Sequence, residues 1–211
     1  MSEHQMHEYR IYEMFYSVQG EGLHAGIPML FLRFSDCNRS CHFCDTSRPE
    51  VNVRYLTPVA ILSALKAMNP TCRRLVITGG EPFYQEGLKE LCAFLLEWKY
   101  ILHFETNGDL LPYPHLPWPT DNVWISVSPK EWLTHWPAYI SEIKWLVGDG
   151  KELWRRALSE EVPYPLQILQ PVSHPDPAVC DRNLQTALHL TKLHPNKFRL
   201  GVQLHRMIGV K

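Results

Sequence analysis

The chain predicts an α/β fold: a mostly parallel sheet curled into an incomplete, trimmed (β/α) barrel. Three observations carry this. Seven short runs are rich in Val, Ile, Leu, Phe and Trp: Met29–Ser35, Arg74–Thr78, Leu102–Glu105, Val123–Ser126, Ile143–Val147, Leu166–Gln170 and Phe198–Gln203. Such runs are typical of strands covered on both faces. Helical stretches alternate with them, and that alternation implies parallel pairing through right-handed crossovers. Between Leu110 and Asp121 stand Pro112, Pro114, Pro117 and Pro119, which leave no room for a crossover helix. One outer helix is therefore missing, and the barrel is expected to be trimmed.

The helices can be justified in turn. Thr57 followed by Pro58 makes a cap and first turn for a helix over Val59–Met68. Gln85–Trp98 places Leu88, Leu91, Cys92, Leu95 and Leu96 at i, i+3, i+4 spacing. Asp149–Leu158 and Pro177–Leu193 also read as helices. No repeat or linker interrupts the pattern, so residues 1–211 are expected to form one domain.

Composition narrows the function. Hydrophobic content of 45% and charged content of 20% are ordinary for a globular protein. A formal charge of −1 argues against a basic groove for nucleic acid. No run is apolar enough to span a bilayer. The opening Met-Ser-Glu-His-Gln-Met-His lacks the apolar core of a signal peptide. Six cysteines, three of them clustered, fit a reducing cytoplasm better than a disulfide framework. Cys72, Cys92 and Cys180 lie in apolar or helical contexts and are expected to be buried small side chains.

The clustered three carry chemistry. Cys37, Cys41 and Cys44 stand in the run Cys-Asn-Arg-Ser-Cys-His-Phe-Cys-Asp-Thr, so three thiolates share one short loop. Iron–sulfur clusters use such spacings, and three ligands on a four-iron cluster leave one iron open. Two other readings stand beside this one. The loop's C-x-x-C suits a redox pair, and zinc would draw on the same cysteines plus His42. Against zinc, His42 is adjacent to Cys41, and structural zinc usually takes two separated ligand pairs. A second signal is Leu75-Val76-Ile77-Thr78-Gly79-Gly80-Glu81-Pro82, an apolar strand running into a double glycine, an acid and a proline. Two glycines admit a ligand close to the backbone, and Glu81 is placed to answer an ammonium.

Ligands of parallel α/β folds bind at the carboxyl ends of strands. The polar signals fall there. The cysteine loop follows the first predicted strand, Gly79-Gly80-Glu81 the second, Thr106-Asn107 the third and Ser128-Pro129-Lys130 the fourth. Gln170 ends the run that starts at Leu166, and His205 closes the last strand.

With these residues the chain resembles the radical S-adenosylmethionine enzymes: Cys37, Cys41 and Cys44 with Phe43 before the third cysteine, and the double glycine at 79–82. Within them it is similar to the 7-carboxy-7-deazaguanine synthase family of the queuosine and 7-deazapurine pathway. Phe15-Tyr16-Ser17-Val18-Gln19-Gly20-Glu21-Gly22, Cys44-Asp45-Thr46 and Glu105-Thr106-Asn107-Gly108 carry that likeness. Ser128-Pro129-Lys130, Gln170-Pro171 and Gln203-Leu204-His205-Arg206 extend it through nearly the whole chain.

The resemblance implies a 4Fe–4S cluster on Cys37, Cys41 and Cys44. It implies S-adenosylmethionine held around Phe43, Gly79, Gly80, Glu81, Thr106, Asn107, Ser128, Pro129, Lys130, Gln170, Pro171, Val172 and Ser173. It also implies Mg²⁺ on Thr46, a hard ion suited to oxygen donors. The implied reaction contracts the ring of 6-carboxy-5,6,7,8-tetrahydropterin with loss of ammonia. Val18, Gln19, Gly20, Glu21, Thr78 and His205 would line the pterin pocket, Arg33 would grip its carboxylate bidentately, and Lys211 would bring the terminal carboxylate close. A flavodoxin-type reductant and a homodimer are implied too, with Trp132, Trp136 and Trp145 available for a subunit contact. The sequence departs from the family at Leu204 and Arg206, where threonine and lysine are expected. Two alternatives remain: a glycyl-radical-activating enzyme, and a non-catalytic iron–sulfur or zinc scaffold.

Overall fold

In the computed structural model of the protein, residues 7–44, 53–112, 114–117, 119, 121–164 and 166–211 are described. The strands are β1 (Tyr9–Val18), β2 (Pro28–Phe34), β3 (Arg54–Leu56), β4 (Arg74–Gly79), β5 (Ile101–Thr106), β6 (Val123–Val127), β7 (Glu142–Val147), β8 (Gln167–Pro171) and β9 (Phe198–Leu200). They form one open sheet of nine strands in the order β3-β1-β2-β4-β5-β6-β7-β8-β9. From β2 to β9 every pairing is parallel, while β1 runs antiparallel to β2 and β3. The helices are α1 (Pro58–Met68), α2 (Leu88–Glu97), α3 (Trp154–Ser159), α4 (Pro177–Leu193) and α5 (Leu204–Ile208). Among the described residues no helix is long and apolar enough to cross a membrane.

Successive strand residues point to opposite faces, and here the two faces differ. Leu32, Ile77, Phe104, Ile125, Ile143 and Trp145 are fully buried in the main core together with Ile61 and Leu65 of α1 and Leu91 and Leu95 of α2. The alternate positions Arg33, Thr78, His103, Glu105, Ser126 and Lys144 face inward, and all but Arg33 and Glu105 are buried. The strands were expected to be apolar on both faces. Instead this face is mixed: Met29, Phe31 and Val76 form a small apolar cluster, while Arg33, Thr78, Glu105 and Lys144, nearer the carboxyl ends of their strands, line cavities.

Connections explain the trimming. No helix is found among the described residues between β5 and β6, as the prolines require, and none lies between β6 and β7 either. The predicted helix over Asp149–Leu158 shrinks to α3. The Asp149 carboxylate accepts from the backbone N–H groups of Lys151 and Glu152, each at 3.0 Å, and holds that stretch as a turn. The predicted helix over Gln85–Trp98 starts at Leu88, since Pro82–Tyr84 forms a single 3₁₀ turn first. The last strand stops at Leu200, short of Gln203. The chain then turns across the barrel mouth, where the Leu204 N–H donates to the Gly20 carbonyl at 2.9 Å, and α5 follows. His205 therefore sits on a helix rather than closing a strand. No strand was expected before Met29, yet β1 extends the sheet with a Tyr- and Phe-rich run.

Two further expectations change. Cys92 is fully buried, whereas Cys72 and Cys180 are only partly so. Trp145 is wholly inside the core, stacked on Trp132 at 5.7 Å and donating its indole N–H to Gln167 at 2.9 Å. Trp136 packs edge-on against it at 6.1 Å. Trp145 is thus unavailable for a subunit contact, because its ring anchors β7 to the core.

Candidate active site

The carboxyl ends of the parallel strands open into two adjoining cavities of about 210 Å³ and about 130 Å³. Glu21, Thr78 and Glu105 line both and form the shared wall. Cys37, Cys41, Cys44 and Phe43 line the larger cavity, opposite Ser128, Lys130 and the stretch from Gln170 to Ser173. Gly79, Gly80, Glu81, Thr106 and Asn107 complete that cavity's inner side. Val18, Gln19, Gly20, Arg33, His205 and Lys211 line the smaller one. Of the residues singled out in the sequence, Pro129 contacts neither cavity and Thr46 lies outside the described residues. All the others meet at this one mouth.

The cysteine loop is tied down on both sides. The Gly80 N–H donates to the Phe34 carbonyl and the Glu81 N–H to the Asp36 carbonyl, both at 2.8 Å, so the end of β4 zips onto the start of the loop. A Cβ on residue 80 would stand 1.6 Å from the Asp36 carbonyl oxygen, so only glycine fits. On the other side, the Arg39 guanidinium forks onto the Asp109 carboxylate, with Nη2 to Oδ1 at 2.9 Å. The Asn107 amide donates to Asn38 Oδ1 at 2.8 Å.

The thiols feel one another. Burial pushes the Cys41 thiol up, Cys44 and Cys37 push it the same way, and Lys130 and Arg39 oppose them. Three soft sulfur donors on one cavity wall, beside two cations, fit a thiolate-ligated iron–sulfur cluster. Among the described residues, no group of three His, Cys, Asp or Glu side chains gathers around a single-ion centre.

Glu81 turns out to be engaged internally. Its carboxylate accepts from the Thr106 hydroxyl at 2.5 Å and from the N–H groups of Asn107 at 2.8 Å and Phe83 at 3.2 Å. Burial pushes its pKa up, and these three bonds pull against that. The residue splices β4 to β5 beneath the larger cavity.

The shared wall is a connected polar chain. The Glu21 carboxylate accepts from the Lys144 ammonium at 2.6 Å and from the Gln203 amide at 2.8 Å. Lys144 also stands 3.7 Å from Glu105, which accepts from Gln19 at 3.2 Å and from the Thr78 hydroxyl at 2.9 Å. Gln203 in turn accepts from the Ser173 hydroxyl. At the rim of the smaller cavity, Arg33 pairs with Glu13 at 3.1 Å and lies over the Phe15 ring at 5.4 Å. The Lys211 carbonyl accepts from the Ser17 hydroxyl at 2.6 Å, which ties the end of the chain against β1. Gly20 lies so close to His205 that a Cβ there would stand 1.8 Å from its Nδ1.

Sequence reasoning assigned no site role to Arg39, Lys144, Glu105 or Gln203. Glu105 and Gln203 lay inside quoted motifs, which was their only signal. Arg39 was hidden between two cysteines, and Lys144 looked like one polar residue within an apolar run.

An open parallel sheet with a three-cysteine loop at its mouth is the architecture of a radical S-adenosylmethionine enzyme, and the Radical SAM superfamily model matches residues 32–117. That family works with a 4Fe–4S cluster and S-adenosylmethionine. The chain is 31% identical to the 7-carboxy-7-deazaguanine synthase of Bacteroides thetaiotaomicron, over 96% of this chain and 98% of that one. It is 32% identical to the synthase of Caulobacter vibrioides, over 96% and 99%. Its structure is similar to the crystal structure of QueE from Escherichia coli, with a TM-score of 0.70 and 25% identity, covering 94% of this chain and 95% of that one. The chain belongs to the 7-carboxy-7-deazaguanine synthase family.

Proposed function

We propose that this protein makes 7-carboxy-7-deazaguanine from 6-carboxy-5,6,7,8-tetrahydropterin, contracting the ring and releasing ammonia. One observation carries the reading: the cavity lined by the three cysteines shares the wall of Glu21, Thr78 and Glu105 with a smaller polar chamber lined by Gln19, Arg33 and His205. A cofactor in one and a small acidic heterocycle in the other would sit side by side.

Cys37, Cys41 and Cys44 would hold the cluster. Gly80, Ser128, Lys130, Gln170 and Ser173 would hold S-adenosylmethionine. Bound together, cluster and cofactor supply a 5′-deoxyadenosyl radical able to take a hydrogen atom from the pterin. The chain's own residues bind, orient and shield. Arg33 has guanidinium N–H groups beyond the one that meets Glu13, and they would fork onto the pterin carboxylate. Glu21 and Glu105 would accept from the N–H edge of the aminopyrimidine ring. His205 and Lys211 would close the chamber and keep water from the reacting carbon.

Mg²⁺ on Thr46, beside the substrate oxygens, is part of this reading. So are a flavodoxin-type reductant, a homodimer, a single domain and a cytoplasmic location. The test is anaerobic turnover of the reconstituted protein with dithionite, S-adenosylmethionine, Mg²⁺ and the pterin, followed by mass spectrometry. Product that vanishes in Cys41→Ala supports the assignment. Deoxyadenosine without product would keep the radical enzyme and overturn the substrate.

A further inference from the structure

Lys144 is a buried cation on the wall of the larger cavity. Its side chain is only 5% exposed, on the polar face of β7, and its ammonium lies 2.6 Å from Glu21 and 3.7 Å from Glu105. Those two carboxylates form the wall between the cavities, and Glu142 adds a third negative charge nearby. Buried like charges repel strongly unless a cation sits among them. Burial alone would push Glu21 up, but Lys144, reinforced by Gln203 and His205, holds it well below the usual carboxylate range.

Every other partner of this pair reaches the substrate side or the cofactor side. Gln19 and Thr78 donate to Glu105, and Gln203 joins Glu21 to Ser173. Lys144 itself lines the larger cavity and not the smaller one. It acts on the pterin chamber from behind.

We infer that Lys144 is a positioning residue that holds Glu21 and Glu105 as a matched pair of acceptors for the N–H edge of the heterocycle. The inference rests on the pterin reading above and deepens it. An aminopyrimidine offers adjacent N–H donors, and a donor edge is gripped by oriented carboxylates, not by neutral acids. Without the ammonium, one of the two glutamates would take up a proton at moderately acid pH and turn from acceptor to donor. The titratable groups facing Glu21 and Lys144 are Glu105 from β5, Glu142 from β7 itself, His205 from α5 and Lys130 from the loop after β6.

The test is equilibrium binding of 6-carboxypterin, a fluorescent and unreactive analogue, to the reconstituted protein with S-adenosylmethionine present, from acid to neutral pH. Wild type, Lys144→Met, Lys144→Arg and the charge-balanced double variant Glu21→Gln/Lys144→Met are compared. Lys144→Met should raise Kd by at least about ten-fold, as truncating one member of a buried charge pair does. The loss should deepen as pH falls. Lys144→Arg should restore part of the affinity. The double variant should regain thermal stability without regaining binding, which separates positioning from a structural role. If folded Lys144→Met binds as tightly as wild type with the same pH profile, this inference is overturned while the pterin reading stands. If wild type itself does not bind the pterin, that reading falls and the inference falls with it.

Discussion

Gly80→Ala tests the claim that the end of β4 sets the position of the cysteine loop. The new Cβ would lie 1.6 Å from the Asp36 carbonyl oxygen, 2.4 Å from its carbon and 3.0 Å from the Asp36 nitrogen. All three are backbone atoms, so no side-chain rotation relieves the clash. Relief means parting the strand ends, which weakens the Gly80 to Phe34 and Glu81 to Asp36 hydrogen bonds, both 2.8 Å. Each is worth about 1 kcal/mol net, and overpacking adds about 1–3 kcal/mol. The total is about 3–5 kcal/mol. For a chain of this size one kcal/mol moves Tm by roughly 2–4 °C, so the variant should melt roughly 6–20 °C lower. Because Asp36 adjoins Cys37, iron incorporation should fall as well. Circular dichroism melting of the apo protein and iron content after reconstitution are the two readouts. A variant with wild-type Tm and full iron would refute the reasoning, since the close approach would then place nothing.

Asp109→Ala strips the carboxylate from the Arg39 fork and from Asn38; loss of iron to a chelator, followed by visible absorbance, should run about ten-fold faster, the equivalent of about 1.4 kcal/mol. Trp145→Ala removes a fully buried ring and should cost about 3–5 kcal/mol, read as a lower urea midpoint. Trp145→Phe keeps an aromatic ring but leaves the buried Gln167 amide oxygen without its donor, and should cost about 1–3 kcal/mol. Lys144 holds Glu21 well below its ordinary 4.5 against the opposing push of burial, so its pairing stabilises the fold above about pH 4.5 and is lost as pH falls further into acid. Urea midpoints of wild type and Glu21→Gln should therefore differ most near neutrality and converge in acid; a gap that stays constant to the acid limit would contradict the pairing.

The legible parts of this protein are those written in local spacing. Three thiols within eight residues must share a loop whatever the fold around them. The proline-rich stretch after Leu110 had to lack a helix, because proline removes the donors and the freedom a helix needs. Pro177–Leu193 was read with its bounds intact, since Asp176 caps it and a proline opens it. Short helices were harder. Whether Asp149 starts a helix or folds back onto its own backbone is decided by which hydrogen bond wins nearby, and α5 follows a turn that depends on Gly20 in a distant loop.

By itself the sequence determined the alternation that makes a parallel sheet, the cysteine loop, the double glycine and the order of polar strand ends, since each is set by neighbours along the chain. Tertiary structure alone decided which of those groups face one another. Lys144 meets Glu21 across 123 positions and Gln203 meets it across 182, and Arg39 finds Asp109 70 positions away. No periodicity records such pairs. Their partners are chosen by the curvature of the sheet and the turn of the chain across its mouth, and that is why the wall between the two cavities became visible only in the fold.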